Sequence, residues 1–254
     1  MIWVRLALLL LGLLLPGVSF GQDAPATADP LGEGAVSLID EASGMPVPAT
    51  VRLVVILTAL TFLPAILLVM TPFTRFVIVF SLLRQALGLQ QAPPNQVLIG
   101  LALFMSALVM QPTLDVIQTN ALDPYMAGDL ETADAIRAAL EPMREFMLGN
   151  TRRTDLAAVM EMGRLPQPET LDDLPTSAVV SAFVLSELKT ALVIAVKVYI
   201  PFLVIDIVVA NVLLGMGMMV LPPIIISLPF KLMIFVLMDG WNLLVRSMAA
   251  GFAF

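Results

Sequence analysis

NVLLGMGMMVLPPIII, residues 211–226, joins two apolar segments through a turn that carries no charge. A membrane hairpin needs only a polar turn at such a place. This one has Gly215 and Gly217, then Met216, Met218 and Met219, then the stop Pro222-Pro223. The flanking segments are long and apolar, so the stretch reads as the tip of a hydrophobic helical hairpin.

Composition extends that reading to the whole chain. The 254 residues have a mean hydropathy of +0.96 and only 13% are charged, too apolar for one ordinary soluble domain. Cysteine and histidine are both absent, which excludes thiol chemistry, disulfides, Cys/His zinc sites and a Ser-His-Asp triad. A formal charge of −7 argues against a nucleic-acid partner. No Gly-rich nucleotide loop is present. No catalytic, cofactor-binding or metal-ligating set is read from the chain.

The first residues, MIWVRLALLLLGLLLPGVSFGQ, place Arg5 before a short apolar run and a Pro16-Gly17 breaker. They read as a signal peptide over 1–21, followed by an acidic periplasmic tether over 22–48. Four apolar blocks follow, at 51–70, 97–110, 191–214 and 224–237. Each of the first, third and fourth holds a proline: Pro64, Pro201 and Pro229. Helices interrupted at membrane depth persist where they pack on protein or line a cavity. The expected architecture is therefore all-α: a multi-spanning membrane protein of proline-broken helical hairpins. Its parts are a first hairpin over 49–118 with a cytoplasmic-side loop, a helical periplasmic region over 119–182, and a second hairpin over 183–254 with the methionine loop. Within the polar region, helices are expected near 132–140, 142–149 and 154–162. Pro142 suits the first turn of the second, and Thr154 suits the N-cap of the third.

The charges in the apolar segments are the next clue. Glu187 and Lys189 lie about 160° apart around a helix, and Lys197 and Asp206 about 180°. Lys231 and Asp239 are also beyond i,i+4 reach. None finds a partner on its own helix, so interhelical or intersubunit partners are expected for Glu187, Lys189, Lys197, Asp206, Lys231 and Asp239. Lys189 has a second account open to it, in which its long stem carries the ammonium to an interface.

These segments also resemble a known family. PFLVIDIVVANVLLGMGMMVLPP (201–223) is similar to a signature of the FliP family of flagellar type III export-gate proteins, which has relatives of the SctR type in injectisomes. SAFVLSELKTAL (181–192) resembles its other signature, and PMREFMLGNTRRTDLAAVMEMG (142–163) its periplasmic helical region. MTPFTRFVIVFSLLRQALGLQQAPPNQVLIGLALFMS (70–106) is also typical. The resemblance runs from residue 51 to the C-terminus; Ile207 departs from it, where Leu or Met is expected.

The resemblance implies a structural subunit, not an enzyme, of an oligomeric conical pore complex in the basal body of the bacterial inner membrane. Its implied partners are further copies in a pentameric ring, FliQ and FliR subunits, other export-apparatus and basal-body proteins, and unfolded flagellar substrates in transit. It also implies that Met216, Met218 and Met219 form a pore gasket, with Gly215 and Gly217 giving the loop freedom and Pro222 and Pro223 restarting the helix. On residue chemistry alone, gap-filling between helices is the better account of the methionines. Arg144, Arg152 and Arg153 are expected at contacts between periplasmic helices of neighbouring protomers, with a solvated helix face as the alternative. Phe73, Arg75, Phe76 and Arg84 face either the cytoplasmic machinery or, for the two arginines, the lipid interface. The rival readings are an injectisome paralogue and a small-solute secondary transporter.

Overall fold

The computed structural model describes residues 49–89, 91–166, 170, 171, 173–218 and 222–252. The signal peptide, the tether and Met219 lie outside the described residues.

The described residues are helical. Helix α1 spans Ala49–Val69 and α2 spans Phe73–Ala86. The chain turns 73° between Thr61–Val69 and α2. Pro72, with no N–H to give, is the N-cap of α2, and the Thr71 hydroxyl donates to the Leu68 carbonyl at 2.8 Å while accepting from the Phe73 N–H. The α2 sequence buries Phe76, Val79, Phe80 and Leu83, the 3–4 spacing of a single helical face. Its end is a left-handed Gly88 (φ +79°): the Gly88 N–H donates to the Gln85 carbonyl and the Leu89 N–H to that of Arg84. That paired arrangement closes the last turn as a Schellman motif.

Next come α3 (Asn95–Val109) and α4 (Gln111–Ile117), then a π-helical turn (Gln118–Leu122) and α5 (Asp123–Ala127). The corner after α3 is 61°. Helices α6 (Thr132–Gly149) and α7 (Arg153–Met162) follow. Helix α8 (Thr176–Gly215) is 40 residues long, and α9 (Pro223–Leu237) and α10 (Gly240–Ala249) complete the chain.

Three sequence expectations need correction. Proline does not break the helices: Pro64, Pro142, Pro201 and Pro229 all lie inside continuous ones. Each removes one i→i−4 bond, and the flanking bonds and packing carry the axis through. The corners fall elsewhere, at Met70–Pro72, at Met110 and at Met238–Asp239. Second, the expected helices at 132–140 and 142–149 are a single helix, held by Met143, Phe146 and Met147 against the core. Third, Arg152 rather than Thr154 is the N-cap of α7. The third apolar block is likewise longer than read, since α8 begins fifteen residues before 191 and runs across the expected boundary at 182/183.

The core lies where α2 crosses the first half of α8. Phe76 and Phe80 of α2 pack with Val179 and Phe183 of α8, Phe146 and Met147 of α6, and Met248 and Phe252 at the C-terminal end. Rings extend the core outward: Phe80 to Trp241 (6.0 Å), Trp241 to Phe235 (5.7 Å) and Phe235 to Phe202 (6.3 Å). Beyond this, α1, α8 and α9 present apolar surface. Leu192, Val196, Ile200 and Val204 of α8, Ile225 and Leu237 of α9, and Phe62 and Ile66 of α1 are all exposed. A helix that is apolar on every side has lipid or protein as its solvent. Among the described residues, α8 is the one helix long and apolar enough to cross a membrane by itself, and three bent helix pairs also qualify if each counts as one span.

Candidate functional site

Among the described residues, three ion pairs tie α8 to its neighbours, each to a different element. The first lies in the core. Arg75 of α2 donates from Nε to Glu187 Oε2 at 2.7 Å and from Nη2 to Oε1. The two side chains are 3% and 1% exposed. The guanidinium carbon lies over the Phe252 ring, 3.7 Å from its centroid. Its Nη1 has no hydrogen-bond partner among the described residues and faces Gly251, where a Cβ would sit 3.3 Å away. Because α2 turns Arg75 and Phe76 inward, neither reaches an outside partner, which corrects the expectation of a cytoplasmic-side contact. Arg84 donates to Asn95 Oδ1 (2.7 Å) and to the Pro93 carbonyl (3.1 Å), holding the loop between α2 and α3.

The second pair joins α8 to α7. Asp155 is fully buried and accepts from Lys189 and from the Ser186 hydroxyl at 2.8 Å. Ser186 in turn accepts from the backbone N–H of Arg152, whose guanidinium donates to Thr190. The hydrogen bond from Lys189 holds the Asp155 carboxyl below its ordinary value of 3.8; burial opposes this, and Ser186 and the charges of Lys189 and Arg152 reinforce it. Sequence reading passed over Asp155 because it stands in a polar segment. Its place in the first turn of a helix was the available signal.

The third pair locks the hairpin. Asp206 accepts from Ser227 (2.5 Å) and Lys231 (2.6 Å), which stand one turn apart on α9. The Lys231 ammonium, only 2% exposed, also donates to the Ala86 carbonyl at the C-terminal end of α2. A cation there meets the negative end of that helix. Three helices therefore meet at one ammonium.

The other expected residues lie apart. Lys197 is exposed with no partner among the described residues. Asp239 is the left-handed N-cap of α10 and accepts from Asn242 (2.9 Å). Arg144 donates to the Leu171 and Leu174 carbonyls and to Thr176, tying α6 to the start of α8. Arg153 is exposed.

At the far end of α8, Gly215 is the last helical residue and Met216 the C-cap. Gly217 (φ +74°) ends the helix as Gly88 ends α2: its N–H donates to Leu214 and that of Met218 to Leu213. Met216 and Met218 are 60% and 41% exposed. Pro222 caps α9 and Pro223 opens its first turn. No cluster of acidic residues able to hold a metal occurs among the described residues.

The profile of the FliP family matches residues 56–248. The flagellar biosynthetic protein FliP of Bacillus subtilis (strain 168) is 50% identical over 206 residues, which are 81% of this chain and 93% of that protein. FliP of Pectobacterium carotovorum subsp. carotovorum is 52% identical over 203 residues, covering 80% and 79%. FliP of Aquifex aeolicus (strain VF5) is 41% identical over 251 residues, 98% of this chain and all of that protein.

Proposed function

The chain belongs to the FliP family, and from that premise we propose that it is a pore-forming subunit of the flagellar type III protein export gate. It is a membrane-associated flagellar biosynthetic protein of the export apparatus, and not an enzyme. In the finer reading it forms a homo-oligomeric ring in the inner membrane, joined by FliQ and FliR subunits, with residues 119–182 periplasmic. Unfolded rod, hook and filament subunits pass through its centre. That the similar proteins carry the flagellar name supports this branch over the injectisome paralogue.

The observation that carries the pore reading is the tip of the α8–α9 hairpin. Met216 and Met218 are exposed there, and Met219 follows them in sequence. Unbranched thioether chains from several copies would form an apolar constriction that resists a continuous water column yet moulds to varied cargo. The Asp206–Lys231 lock holds the two arms of the hairpin behind that tip.

A deletion strain tests the reading. Loss of motility, with hook and filament proteins gone from the culture supernatant and both restored by complementation, is expected. Intact motility with lost secretion of host-directed effectors would instead identify an injectisome subunit, and no defect in either would return a solute transporter to consideration. For the loop, trimming Met216, Met218 and Met219 to Ala is expected to raise small-ion leakage across the membrane. Unchanged conductance would remove the gasket.

A further inference from the structure

Helix α8 turns two unlike faces outward from its axis. Ala195, Phe202 and Leu213 are buried, and Phe202 meets Phe235 of α9. At about 100° per residue, Lys197 lies about 140° from Phe202 and 180° from Asp206, on the side away from α9. Val193, Ile200, Val204 and Val208 stand within about 60° of it on that outer side, and all four are exposed. One ammonium thus sits in an aliphatic stripe, a costly arrangement in lipid unless an anion meets it.

The same chain offers a matching anion that its own Lys197 cannot reach. Bonds from Ser227 and Lys231 to Asp206 fix the antiparallel register of α8 and α9. Nine residues back along α8 from Asp206 is Lys197, and nine forward along α9 from the midpoint of Ser227 and Lys231 is Met238, next to Asp239. Lys197 and Asp239 therefore stand at nearly equal depth, about 13 Å from Asp206 at 1.5 Å per residue. Asp239 is exposed, has no cation among the described residues, and uses only Oδ2 toward Asn242. Glu187 and Asp206, the carboxylates of α8, already have cations. Beside Asp239, Val236 and Leu237 are 73% and 78% exposed. Each half of the contact is an aliphatic surface with one charge, of opposite sign and at matched depth.

We propose that Lys197 of one copy pairs with Asp239 of an adjacent copy, the Val193–Val208 stripe covering the neighbour's Val236 and Leu237. This rests on the homo-oligomer of the proposed function and names the contact that builds it. Because the two surfaces differ, the contact is head-to-tail and repeats from copy to copy, the kind that closes rings.

The absence of native cysteine makes the test clean. Two differently tagged full-length chains, one Lys197→Cys and the other Asp239→Cys, are co-expressed in membranes and oxidised. A disulfide-linked heterodimer is expected, with none when Ser181→Cys replaces either partner. A second arm avoids the strained Asp239 backbone: Lys197→Glu, which faces carboxylate with carboxylate, is expected to lose most of the native-size complex. Adding Asp239→Asn is expected to recover it. If the tagged cysteine chains co-purify in a native-size complex but give no heterodimer, and Lys197→Glu assembles normally, the contact is wrong and the homo-oligomer stands. If wild-type tagged chains fail to co-purify, the homo-oligomer falls and the contact with it.

Discussion

The Arg75–Glu187 pair shows what a buried charge demands of its partner. Two oppositely charged groups removed from water are held by each other's field and by two parallel hydrogen bonds. Glu187→Gln leaves the guanidinium buried and uncompensated, so a loss of about 3–5 kcal/mol is expected. Arg75→Met with Glu187→Met together should recover most of it. Unfolding midpoints in detergent distinguish the two, and a double mutant as unstable as the single would contradict this account. Asp155 makes a pH prediction. Its folded carboxyl titrates below 3.8, so its stabilisation is full above that value and lost as pH falls from 3.8 through the lower folded value. Between pH 5 and 2.5 the wild type should therefore lose more stability than Asp155→Asn; parallel curves would contradict the pairing. Angles around a helix were enough to exclude same-helix partners for Glu187, Asp206 and Lys231. They could not name Arg75, 112 residues away from Glu187, because that contact exists only once α2 crosses α8.

At the scale of elements, the corners matter more than the prolines. The α9–α10 turn of 62° has Asp239 left-handed and Gly240 against the Phe235 ring, where a Cβ would lie 2.3 Å from two ring carbons. No side chain fits there without moving an aromatic ring that also contacts Trp241 and Phe202. Gly240→Ala is expected to destabilise by about 1–3 kcal/mol through overpacking. Gly100→Ala, with nothing within 4 Å, should stabilise α3 by about 0.5–1 kcal/mol. Thermal unfolding of the two variants side by side reads the difference, and a neutral Gly240→Ala would mean the ring yields freely. Apolar run length was enough to find α1, α3, the second half of α8 and α9. It was silent on α4, the π-helical turn and α5, whose residues carry no sustained apolar period. It also overrated Pro142, because local propensity contains nothing of the packing of Met143, Phe146 and Met147 that carries α6 through.

For the molecule as a whole, length decides how α8 sits. Forty residues at 1.5 Å each make about 60 Å, twice the roughly 30 Å hydrocarbon core of a bilayer. The two halves differ accordingly. Residues 176–190 pack on α2, α6 and α7 and carry Glu187 and the Asp155–Lys189 contact. Residues 192–214 pack on α9 and turn Leu192, Val196, Ile200, Val204 and Val208 outward. One continuous helix thus joins a half packed in the core to a half whose outer side is apolar and exposed. Single-cysteine labelling in intact membranes measures this division directly, since the chain supplies no thiol of its own. Ser181→Cys, on an exposed position of the first half, should react fully with a water-soluble maleimide added from the side that this half occupies. Val204→Cys, also exposed and in the second half, should stay unlabelled from both sides until detergent is added. Equal labelling of the two would mean that the whole helix lies in water, and α8 would then be a strut in a soluble assembly and not a span.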